Sequence, residues 1–128
     1  MKKTIVTIFS AGLWITFSEF FRNEILLKNY WTEHFESLGL TFTTTAINGL
    51  IWLVWSFSLA YLIYQLLKKF DTKKTISLVW LGMFWMMWLT IYNLQTLPLK
   101  ILIFAIPLSL LEIMIAVLII QKLKKSLL

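Results

Sequence analysis

No cysteine occurs in this chain, so disulfides, thiolate metal sites and thiol catalysis are excluded together. The lone histidine, His34, cannot build a bis-histidine haem site. Charge is scarce as well. Only 14% of residues are Asp, Glu, Lys or Arg, where soluble proteins carry about 25%. Two prolines and four glycines leave long stretches with nothing to interrupt them. No nucleophile–base pairing, Gly-rich phosphate loop or pair of aspartates appears, so an enzyme is not expected. Glu33-His34-Phe35-Glu36 is the one cluster of metal-ligand residue types. Its spacing matches no usual zinc site, and neither a metal nor any other cofactor is expected.

What is abundant is apolar. Hydrophobic residues make up 59% of the 128, including seven Trp and ten Phe. A water-soluble core of this size cannot hide so much apolar surface, so lipid is the expected partner. Four apolar runs read as helices, at about Thr4–Phe21, Ala46–Leu67, Thr75–Leu94 and Leu99–Ile120. Each approaches the ~20 residues that cross ~30 Å of hydrocarbon. Backbone groups in lipid must be satisfied within the segment, which makes helices the default. Met1-Lys2-Lys3 before an apolar run also looks like a signal peptide, but the run continues into Ser18-Glu19-Phe20-Phe21-Arg22 with no small-residue cleavage site. The first run therefore reads as a retained helix.

The net charge of +6 is explained by where the bases sit. Lys2, Lys3, Lys68, Lys69, Lys73, Lys74, Lys122, Lys124 and Lys125 fall on one side of the spans, and Arg22, Lys28 and Lys100 on the other. Positive-inside logic places both termini in the cytoplasm. With no soluble basic face, nucleic-acid binding is not expected. Within the long connection from Arg22 to Thr45, Leu27, Trp31, Phe35 and Leu38 recur at helical spacing. That predicts an amphipathic helix over about residues 23–38, lying in the interface or capping the bundle and ending near Gly39. The expected fold is all-α: an integral membrane four-helix bundle in a single domain over residues 1–128, with an interfacial helix between the first two spans.

Glu112 stands in the middle of the last apolar run. Ionisable groups at such a depth are costly and mark functional positions. Ala105, Ser109, Glu112 and Ala116 share one stripe at spacings of four, three and four, so the carboxyl should point into the bundle. Pro107 in the same run should kink the helix. Glu112 lies roughly 13 Å from the cytoplasmic end of its helix. Ser58 and Tyr61 on the second helix fall near that depth and are the expected hydroxyl partners, in either a structural hydrogen bond or a proton-handling site. Glu19, Asn48 and Asn93 lie roughly 22, 28 and 27 Å from their helix ends. With Arg22 they form an expected second polar layer: an outer vestibule or ordinary interface residues. A depth difference of about 9 Å argues against contact between Glu19 and Glu112. Trp80, Phe84, Trp88 and Tyr92 repeat every four residues, and Trp52 and Trp55 sit near Asn48. Packing accounts for such stripes; a flat or cationic ligand against the rings is the alternative.

The stretch Glu19-Phe-Phe-Arg-Asn-Glu-Ile-Leu-Leu-Lys-Asn-Tyr-Trp, with Ser37-Leu-Gly-Leu and Asn48-Gly-Leu-Ile-Trp, resembles small uncharacterised four-helix bacterial inner-membrane proteins. The resemblance spans nearly the whole chain and implies a multi-pass protein of the bacterial cytoplasmic membrane. It brings no activity and no site residues. In size the chain is also similar to small multidrug transporters and fluoride channels, but its one-way charge bias opposes their antiparallel assembly. Two functions stay open: a small transport or permeation protein for an ion or small molecule, or a non-transporting subunit that holds lipid or a larger membrane protein. Four short helices with extensive aromatic faces make a homo-oligomer a reasonable expectation.

Overall fold

The computed structural model describes residues 1–126 and is all-helical among them. Four helices are long and apolar enough to cross a membrane. They are α1 (Lys2–Leu26), α3 (Ala46–Leu66), α4 (Thr72–Asn93) and α5 (Leu99–Ser126). A short helix, α2 (Lys28–Ser37), follows α1. Both described ends of the chain lie at one end of the bundle, and α2 lies at the other.

Local chemistry sets where each helix starts and stops. Thr45 opens α3 with a reciprocal cap: its hydroxyl accepts from the Asn48 N–H, and the Asn48 side chain answers the Thr45 N–H. Asp71 opens α4 by accepting the Lys74 N–H at 2.8 Å. Gly39 closes α2 with φ +71°, while Leu40 N–H returns to the Phe35 carbonyl at 2.9 Å. Gln95 ends α4 in the same way at φ 61°, without the conformational ease of glycine.

Three boundaries differ from the sequence reading. The first helix does not stop at Phe21 but continues through a π-helical turn, Phe21–Leu26. The expected amphipathic segment is thereby divided: its first part belongs to α1, and Leu27 forms the joint before α2. The last helix passes Ile120 and runs on to Ser126. There Gln121 donates to Thr72, and Lys124 lies 5.3 Å from the Tyr64 ring. Lysine stems lie along apolar surface, so a helix outlasts its apolar run.

Helix α1 is the axis of the bundle and packs along both α3 and α5. Gly12 makes the α1–α3 approach possible, because a Cβ there would stand 2.5 Å from the Phe57 ring. On α5 the stripe of Ala105, Ser109, Glu112 and Ala116 is buried as its spacing predicts. A second π-helical turn, Trp80–Trp85, interrupts α4. A four-residue repeat drifts by about 40° per step around an ideal α-helix. The wider π turn absorbs that drift, so Trp80, Phe84 and Trp88 all turn inward, with Phe84 fully buried. Beyond the turn, Met86–Asn93 makes few close backbone approaches to the other spans. That gap becomes a cavity.

Candidate functional site

Two acids and one base are buried together. Glu19, Arg22 and Glu112 are 5%, 4% and 1% exposed. Glu19 and Arg22 come from successive turns of α1, and Glu112 from the facing stripe of α5. The Arg22 guanidinium forks between them. One arm donates to Glu19 Oε1 and the other to Glu112 Oε2 at 3.2 Å. Ser18 donates to the same Oε2 at 2.5 Å. Asn23 donates to Glu19 Oε2 at 3.0 Å, and its own carbonyl oxygen accepts from the Trp31 indole at 3.2 Å. Trp14 donates to the Glu112 backbone carbonyl at 3.0 Å, fixing the register of α5 against α1. The guanidinium carbon also lies 5.3 Å from the Phe84 ring centroid, a favourable cation–π distance. Glu112 Oε1 is buried without a partner among the described residues.

The two π turns meet here. One carries Arg22 and the other Phe84. Such turns occur often at functional positions because they re-aim side chains that an α-helix would direct elsewhere.

This arrangement corrects the expected partners of Glu112. Ser58 and Tyr61 are exposed on the outside of α3, beside Leu53 and Phe57, and Ser58 donates to its own helix at Val54. Ser109 is buried on the expected stripe, yet it serves Trp80, whose indole donates to it at 2.9 Å. Glu19 and Glu112 are not separated as their expected depths implied. Counted from Ser126, Glu112 lies about 21 Å along its helix, while Ser18 lies about 24 Å from Lys2. Ending the last span at Ile120 had placed Glu112 too shallow. Ser18, Asn23, Trp14 and Trp31 escape a sequence reading that looks for charge. The one trace is Glu19 followed by Arg22 and Asn23, which at three- and four-residue spacing sets two donors on one carboxyl.

Above the cluster lies a cavity of about 390 Å³. Glu19, Arg22, Asn23, Glu24 and Asn48 line it together with Trp31, Phe35, Phe42, Trp52 and Trp88. Helix α2 and the connection after it roof the space with stacked rings: Trp31 and Phe42 are 6.0 Å apart, Phe35 and Phe42 5.3 Å. A recess of about 200 Å³ between α1 and α3 shares Glu19, Glu24, Asn48 and Trp52. Asn48 thus borders the site while capping α3. Asn93 does not join it; it is exposed in a separate depression with His34 and Gln95. The imidazole of His34 donates to the Gln95 carbonyl at 2.8 Å and pins α2 to the turn after α4. Among the described residues no cluster of three His, Asp or Glu side chains suits a metal ion.

Protein-family models, curated proteins and solved structures were all compared with the chain, and none matches. The chemistry must therefore be read from the site. Two carboxyls sharing one guanidinium differ by one proton from a neutral cluster. Arg22 has two acceptors on different helices and the reach to favour either. Such a group can hold a proton, exchange it for another cation, or act as a permanent clamp between α1 and α5.

Proposed function

We propose that this is a multi-pass membrane protein that moves a small solute or ion, with the Glu19–Arg22–Glu112 cluster as its proton-handling element. In this reading the lysine-rich end with both termini faces the cytoplasm, and α2 lies at the outer interface as a lid. The membrane would be a bacterial inner membrane. One observation carries the proposal: two buried carboxyls from different helices compete for one arginine at the edge of a solute-sized cavity. Intramembrane acids paired in this way line proton and ion pathways. A proton arriving on either carboxyl releases one arm of Arg22. The freed arm then tightens on the remaining acid and changes what Glu19 offers to the cavity.

A second reading has its own support. Phe9, Leu13, Phe17, Val54 and Leu118 are among many large side chains exposed on the bundle's flanks. Such faces suit a homo-oligomer or a larger membrane partner as well as lipid, with the cluster serving only as a clamp. The two readings separate on Glu112→Gln. In proteoliposomes containing a pH-sensitive dye, transport requires that this variant stay folded and lose proton or solute flux. Infrared difference spectra between about pH 5 and 8 should show a carboxyl band that the variant lacks. Wild-type flux that the variant leaves unchanged removes Glu112 from the transport path; no flux and no band hands the protein to the accessory reading.

A further inference from the structure

The cavity above the cluster has a chemical bias beyond its size. Its volume of about 390 Å³ falls among cavities that hold small organic ligands, roughly 300–1,000 Å³. Aromatic rings supply most of its apolar wall. Trp31, Phe35 and Phe42 stack along the roof, and Trp52 and Trp88 enter from α3 and α4. Its charge is one-sided. Arg22 is the one base among the lining residues, and both its arms are engaged by Glu19 and Glu112. Glu24 also lines the cavity and its neighbouring recess, and it forms no ion pair among the described residues. An anion entering here would have to strip a carboxylate from Arg22. A cation meets an acid that forms no ion pair among the described residues and a wall rich in aromatic rings.

We infer that the cavity binds a small organic monocation with an apolar or aryl body, of the quaternary or aryl ammonium kind. Its charge sits between Glu24 and the aromatic wall, and a longer substituent extends into the recess between α1 and α3 near Gly49 and Phe20. Aromatic walls favour such ions because the ring quadrupole attracts a weakly hydrated cation. Asn48, held by its cap at Thr45, gives the polar edge a fixed orientation. This names the solute class for the transport reading above, yet the binding itself does not require flux.

The test is binding to the full chain in lipid nanodiscs, read by tryptophan fluorescence against empty discs. Benzyltrimethylammonium and phenylmethanesulfonate have similar shape and opposite charge. Saturable binding of the ammonium, with the sulfonate weaker by about tenfold or more, is expected from one favourable charge contact. Glu24→Gln should weaken the ammonium about tenfold, and Glu24→Asp should restore most of it. Equal or tighter sulfonate binding, no saturable ammonium signal, or a folded Glu24→Gln protein with unchanged affinity overturns the inference. Should Glu24→Gln fail to fold, the two probes on the unmodified protein still decide it. Ammonium binding without any flux would sink the transport reading and leave this site standing. Glu112-dependent proton flux without ammonium binding would do the reverse.

Discussion

On the side of the termini, α1 meets α3 and α5 through Ala11, Ala60, Ala116 and Val117, all completely buried. From mid-bundle toward the opposite end the same helices present Ser18, Glu19, Arg22, Asn48 and Glu112, with a cavity beside them. The first region is held by close approach, which small residues permit and which depends on volume. The second is held by direction: a fork of hydrogen bonds works only while every member is present. One half should therefore answer to changes of size, and the other to changes of charge.

Removing Arg22 gives the largest expected effect. Arg22→Leu leaves Glu19 and Glu112 facing each other with no base, a loss of about 3–5 kcal/mol for a broken buried pair. Changing Glu19, Arg22 and Glu112 to Leu together should recover most of that stability, because an all-apolar replacement removes the desolvation cost as well. Equilibrium unfolding in mixed micelles measures both. If the triple variant is as unstable as the single one, packing around the cluster matters more than its charge balance, and the contrast between the two halves fails.

The serines sharpen the same contrast. Ser18 and Ser58 sit on neighbouring helices of similar composition, and both look like ordinary helix serines in the sequence. Ser18→Ala removes a donor to a buried carboxyl and should cost about 1.5–3 kcal/mol. Ser58→Ala removes a bond from an exposed hydroxyl to its own helix and should fall within about 0.5 kcal/mol of no change. Comparable losses in the two would show that the partner of Glu112 is not Ser18.

This pair also shows how far the sequence could be read. The four-, three- and four-residue spacing around Glu112 is a property of one helix, so the buried stripe on α5 was legible without knowing its neighbours. So were the caps of α3 and the stop at Gly39, which depend on residues a few positions apart. The partners of Glu112 depend on how two helices align, and that alignment turns on where each one ends. Gln121–Ser126 continues the helix through charged residues, and Phe21–Leu26 continues another through a π turn. Neither extension leaves an apolar signature. Asn93 shows the opposite failure: it lies at the end of the bundle that carries α2, but it faces the depression with His34 and Gln95 and not the cluster.

Volume is tested by the glycines. A Cβ on Gly12 would lie 2.5 Å from Phe57 Cδ1 and 3.0 Å from Cγ, so the whole ring must move, not just its tip. Gly12→Ala should cost about 1–3 kcal/mol, the usual penalty for overpacking. Gly82, in the π turn of α4, has nothing within 4 Å of its own added Cβ. There the same substitution meets no neighbour and should gain up to about 1 kcal/mol from helix propensity. Unfolding of the two variants side by side reads the difference directly. A Gly12→Ala protein as stable as Gly82→Ala would mean that α1 and α3 separate easily near the termini. The closely packed half would then be the mobile one, and the polar fork between α1 and α5 would be the part that holds the bundle together.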